Sequence, residues 1–97
     1  MPTYISLLHY TQKGMENIKD SPARLDKAKQ AFQAMGAEIK GYYLTMGRYD
    51  AVVVSEAPDD ETVARLALTI GSQGSISTET LRAFPENEYR KIVSALP

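Results

Sequence analysis

The sequence has no cysteine, no tryptophan and a single histidine among its 97 residues. Without cysteine, neither a disulfide framework nor a thiolate metal site can form. The lone His9 and the scattered carboxylates show no ligand spacing, so no metal is expected. No cofactor is expected either, because there is no phosphate-binding loop, dinucleotide fingerprint or nucleophile elbow. Charge of one sign is also missing: 11 basic and 12 acidic side chains are mixed along the chain, for a net charge of −1. A nucleic-acid surface needs clustered Lys and Arg to displace counterions, so nucleic acid is not an expected partner. No window approaches the roughly 20 apolar residues of a membrane span. The opening MPTYISLLHY lacks the regions of a signal peptide, and a cytoplasmic protein without a membrane partner is expected.

What the chain does have is β-prone and apolar. The stretch GYYLTMGRYDAVVVSEA, residues 41–57, reads as two strands joined by a tight turn at Met46-Gly47-Arg48. Ala51, Val52, Val53 and Val54 form an unbroken apolar row, which suits a central strand covered on both faces. Thr3 to Tyr10 is a second inner strand. Alternation puts Ile5, Leu7 and His9 on one face and Tyr4, Ser6, Leu8 and Tyr10 on the other.

Between these strands, Thr11 to Asp20 is a polar connection with room for a turn of helix. Ser21-Pro22 opens a helix with Ser21 as the cap; Leu25, Ala28, Phe32 and Met35 form its stripe and Gly36 stops it. Lys19, Arg24 and Lys27 gather at its start, where an anion could bind the free amides; a solvated basic face is the ordinary outcome of such a cluster. Asp59 caps a second helix whose stripe is Val63, Leu66, Ala67 and Ile70. Ser75 to Phe84 is a wetter edge strand, and Tyr89, Ile92, Val93 and Leu96 give a short amphipathic C-terminal helix.

The order β-α-β-β-α-β plus a terminal helix defines one α+β domain over residues 1–97. Short connections and right-handed crossovers point to a ferredoxin-like two-layer sandwich, with both helices on one face of an antiparallel sheet. The other face then exposes apolar members of strands one and three. That predicts a homo-oligomer, a dimer or higher, packed sheet to sheet or edge to edge.

The segments YISLLHYTQKGMENIKDSPARLD, YYLTMGRYDAVVVSEAPDDE and TLRAF with ENEY together resemble the GYD domain family. These are small bacterial and archaeal proteins with a Gly-x-Tyr-Asp hairpin, which Gly47, Tyr49 and Asp50 match, with Arg48 at the variable position. The resemblance implies a ferredoxin-like, dimeric α/β-barrel type of fold and no established activity. A similar hairpin occurs in the ligand-sensing domains of leucine-responsive regulators, where effectors bind at subunit interfaces.

Two functions are compatible with this reading. One is an oligomeric small-molecule-binding module, with its ligand at a subunit interface or beside the 46–50 hairpin, contacting Tyr43, Arg48, Tyr49, Asp50, His9 and Arg82. The other is a cofactor-free isomerase or monooxygenase of the dimeric α/β-barrel kind. It would act on a small aromatic or polyketide-like substrate between helices and sheet, with His9 or Asp50 as base. Each candidate has a plainer alternative. Asp50 could fix its own hairpin through turn amides, Arg48 or Arg82; the tyrosines could be interface packing; His9 could be structural.

Overall fold

The computed structural model describes all residues, 1–97. Four strands form one antiparallel sheet: β1 (Thr3–Tyr10), β2 (Glu38–Leu44), β3 (Ala51–Glu56) and β4 (Ile76–Ala83). Their spatial order is β2-β3-β1-β4, so the two strands apolar on both sides are the central ones. The helices are α1 (Gln12–Glu16), α2 (Ser21–Ala34), α3 (Asp60–Gly71) and α4 (Glu86–Ser94), with a 3-10 turn over Ile18–Asp20. This is the expected βαββαβ arrangement with a terminal helix, plus the one-turn helix α1 in the polar connection.

Register decides which side chains share a face. Tyr4 pairs with Ser55 and Arg82, and Leu8 with Ala51 and Thr78. Tyr4, Leu8, Ala51, Val53 and Ser55 are buried, and Tyr4 belongs to the core cluster with Phe32 of α2 and Val63 and Leu66 of α3. Both long helices therefore cover the Tyr4/Leu8 face. The opposite face carries Ile5, Leu7 and His9 of β1, Val52 and Val54 of β3, and Leu81 of β4. Only 11 of the 97 residues are buried, a thin core for a chain of this length.

Several local readings are revised. The turn at Met46-Gly47-Arg48 is wider than expected, since Thr45 to Asp50 separate β2 from β3. Thr45 closes this loop by donating its N–H to the Asp50 carbonyl at 2.9 Å and its hydroxyl to the Tyr49 carbonyl at 2.6 Å. Gly47 sits within it at φ 116°, a conformation that side chains with a Cβ resist. Ser21 does not cap α2. The 3-10 turn runs straight into the helix, so Asp20 takes the cap position without a side-chain bond, and Ser21 becomes the first helical residue. Asp59 does cap α3, accepting the Thr62 N–H at 2.8 Å and the Thr62 hydroxyl at 2.7 Å. These bonds hold its carboxyl below the usual carboxylate range.

The C-terminal helix covers nothing in this single copy. No residue of α4 is buried, and Tyr89, Ile92, Val93 and Leu96 are all exposed. Its start is tied to the sheet by Arg82, which lies 3.6 Å from Glu88 and stacks 4.3 Å from the Phe84 ring centroid.

The helix α1 is held against the beginning of β4 by a close backbone approach at Gly14. A Cβ built there would lie 2.0 Å from the Ser75 carbonyl oxygen, and that same oxygen accepts the Thr11 N–H at 3.0 Å. Gly14→Ala is expected to cost about 1–3 kcal/mol, because backbone rather than a flexible side chain has to move. Urea unfolding checks this; a midpoint within error of the parent protein would show that the approach is unimportant.

Candidate functional site

The hairpin loop stands at the end of β1 that carries His9 and Tyr10. Asp50 is fixed through both its backbone and its side chain. Its N–H donates to the Leu8 carbonyl at 2.8 Å, and its Oδ2 accepts the Tyr10 N–H at 2.8 Å. Asp50 therefore ties the loop to β1 just beyond the end of its pairing with β3. Its partner is neither an amide of its own turn nor Arg48 or Arg82, the alternatives the sequence left open. The reason is positional: the carboxylate reaches across to the neighbouring strand, whose amide would otherwise lack an acceptor.

On the helix-free face, Tyr49 leaves the loop and lies over the end of β1. Its ring sits 4.8 Å from the His9 ring, tilted by 38°. Its hydroxyl donates to Glu79 Oε2 on β4 at 2.9 Å, and that bond raises the phenol's pKa. His9, Tyr49 and Glu79 thus form a polar rim at one end of the open face. Tyr43 pairs with Val52 and is 59% exposed on the same face, two strands away from His9. Below the rim, Ile5, Leu7, Val52 and Val54 stay partly exposed although they lie on the two central strands.

Arg82 does not join this group. It pairs with Tyr4 at the opposite end of β1 and donates to the Thr3 carbonyl at 3.2 Å and to the Ala83 carbonyl. Its guanidinium lies 5.7 Å from the Tyr4 ring centroid, on the side of the sheet that faces the helices. Of the six residues grouped from sequence, the structure brings together His9, Tyr49 and Asp50 and leaves Arg82 apart. Tyr43 stands on the same face but on an outer strand, and Arg48 is on the exposed loop.

The tyrosines also separate. Tyr4, Tyr10 and Tyr42 face the helices, while Tyr43 and Tyr49 face away. Tyr4 donates to Asp60 Oδ1 at 2.5 Å; burial first, and this bond second, push its phenol up to about 12. Tyr10 and Tyr42 have their hydroxyls 2.6 Å apart. Desolvation and that bond take Tyr42 to about 12, so it stays protonated at any ordinary pH. These two hydroxyls border a cavity between helices and sheet that neither His9 nor Asp50 lines. Arg24 and Lys27 bring charge to this cavity; the sequence singles both out at the start of α2 but gives no sign of the cavity itself. The only available signal was the spacing of Arg24 one turn from Ser21, on the side of α2 that meets the sheet.

A four-stranded antiparallel sheet with two helices on one face places the chain among small α+β, ferredoxin-like proteins. The GYD domain model matches residues 4–93, and the chain belongs to that family. It is 40% identical over 86 residues to the "Glutamine synthetase and cystathionine beta-lyase binding protein" of Thermus thermophilus, covering 88% of this chain and 90% of that protein. Among solved structures it is similar to a feast or famine regulatory protein of M. tuberculosis complexed with L-methionine, with a TM-score of 0.66 and 13% identity. That match covers 88% of this chain and 51% of the other, so the chain spans about half the length of the regulator. A crystal structure of a Thermus thermophilus protein matches at a TM-score of 0.56 and 23% identity, over 88% of this chain and 95% of that one. At such identities the structural matches bear on fold alone.

The Asp50 bond gives a direct expectation. Asp50→Ala leaves the Tyr10 N–H without its acceptor and should cost about 1–3 kcal/mol. Asp50→Asn, which keeps a side-chain oxygen, should recover at least half of the loss. Equal stability of all three proteins in chemical denaturation would contradict the role assigned to the carboxylate.

Proposed function

We propose that the chain acts as an oligomeric binding module, sealed copy to copy through the helix-free face of its sheet in the manner of a dimeric α/β barrel. The observation that carries this reading is the apolar strip Ile5, Leu7, Val52, Val54 and Leu81 on that face, with no element of its own copy over it. Burying one such side chain stabilises by about 1.5–3 kcal/mol, so a handful outweighs a moderate cost of association. The exposed stripe of α4 adds a second apolar surface that an assembly would cover.

In such an assembly the rim of His9, Tyr49 and Glu79 falls at the edge of the seam, beside Asp50, with Tyr43 on the same face of the outer strand and Arg48 next in the loop. A polar rim beside an apolar seam suits a ligand or a partner protein. The name of the Thermus thermophilus relative supports a regulatory protein that docks on metabolic enzymes, and this is the role proposed for the chain. Arg82, at the far end of β1, lies outside that region. The reading as an aromatic-substrate enzyme has weaker support, because its pocket is not lined by the bases assigned to it.

Light scattering at micromolar concentration is expected to report a multiple of the 10.7 kDa chain. The variant Ile5→Lys/Val54→Lys should reduce it to one copy while retaining its circular dichroism. A wild-type particle of one chain mass would contradict the proposal.

A further inference from the structure

The layer between helices and sheet is incompletely filled. A cavity of about 140 Å³ lies there, walled by apolar groups that include Leu8, Ala28, Phe32, Ile39, Val53 and Val63. An apolar cavity of roughly 150 Å³ is large enough to take a benzene ring. Exposed residues among those that line it, such as Lys27 and Gln73, mark where it opens to solvent.

One end of this cavity is polar. Tyr10 and Tyr42 hold their hydroxyls 2.6 Å apart, and Ser21 Oγ is 3.3 Å from the Tyr10 hydroxyl. Ser21 is free to stand there because it is not spent as a helix cap. Arg24, one turn along α2, donates from Nη1 to the Asn17 carbonyl at 3.0 Å. Its other terminal nitrogen, Nη2, is buried and has no hydrogen-bond partner. Arg24 and Lys27 are the only charged residues lining the cavity, and no carboxylate is among them.

Buried polar groups are almost always paired, and a cationic one without an acceptor is the costliest kind to leave alone. A guanidinium edge prefers a planar, negatively charged acceptor. The hydroxyl chain can supply a further donor, since three hydroxyls share two contacts and one proton is left over. The largely apolar walls suit a carboxylate carried on an apolar body better than a bare hydrated anion.

We propose that this cavity binds a small apolar carboxylic acid, with a ring or branched body against the walls. Its carboxylate lies on Arg24 Nη2 and on the Ser21–Tyr10–Tyr42 hydroxyls. The site is contained in one copy, so it stands or falls independently of the assembly proposed above. It also differs from a ligand at the hairpin rim, which lies on the other side of the sheet.

Calorimetric titration of the full chain with benzoate and with 3-methylbutanoate tests this, with benzamide and inorganic phosphate as comparisons. Saturable binding of a carboxylate at one per chain is expected, weakened at least about tenfold in the neutral benzamide and in Arg24→Met. Ala28→Leu, which fills the cavity with an apolar group, should abolish binding while retaining its circular dichroism. Tyr42→Phe keeps the ring, and should lower the affinity without affecting assembly as read by light scattering on the same samples. No heat from either acid through the millimolar range would overturn the proposal. So would phosphate binding as tightly as benzoate, or affinity unchanged in Arg24→Met and Ala28→Leu.

Discussion

The structure turns on a mismatch between two strands and two helices. β1 and β3 are the central strands of the sheet, and each is apolar on both of its faces. A βαββαβ chain with right-handed crossovers places α2 and α3 on the same side, so only one of those faces can be covered from within. Tyr4, Leu8, Ala51 and Val53 go under the helices; Ile5, Leu7, Val52 and Val54 do not. The thin core of this copy and its uncovered strip are one fact seen from two sides.

The loop between β2 and β3 is fastened to β1 and sends one side chain over the open face. Asp50 bonds β1 through its N–H and its carboxylate just past the last paired residue, which sets the point where the loop leaves the sheet. From there Tyr49 is turned to the open side, where it meets His9 and reaches Glu79 on β4. The Gly-x-Tyr-Asp pattern thus has a mechanical reading. Gly47 permits the positive φ, Tyr49 spans β1 on one face, and Asp50 fastens the loop to β1. The residue between, Arg48, has no such duty.

Most of the architecture could be read from the chain because its periodicities agree with one another. The alternation in β1, the apolar row in β3 and the stripes of α2 and α3 all lead to one topology, and the strand order follows. Local chemistry was harder to read. Ser21-Pro22 has the pattern of a helix start, yet a 3-10 turn immediately before it moved the cap to Asp20. Arg82 looked available to the hairpin because distance along a strand is invisible until the register is known; pairing with Tyr4 carries it to the other end. Arg24 looked like surface charge because a long side chain on an amphipathic helix can turn either way. Its environment depends on Asn17 and Tyr42, which are far from obvious neighbours in sequence.

The proposed seam can be probed at one position on the open side. The chain has no cysteine, so Ser77→Cys, on β4 opposite His9, accepts a nitroxide label there and nowhere else. Pulsed dipolar spectroscopy on the labelled protein should give a narrow distribution of label-to-label distances that fades on mixing with unlabelled chain. A signal decaying as isolated spins, at concentrations where the protein is folded, would mean that this surface meets water and not another copy.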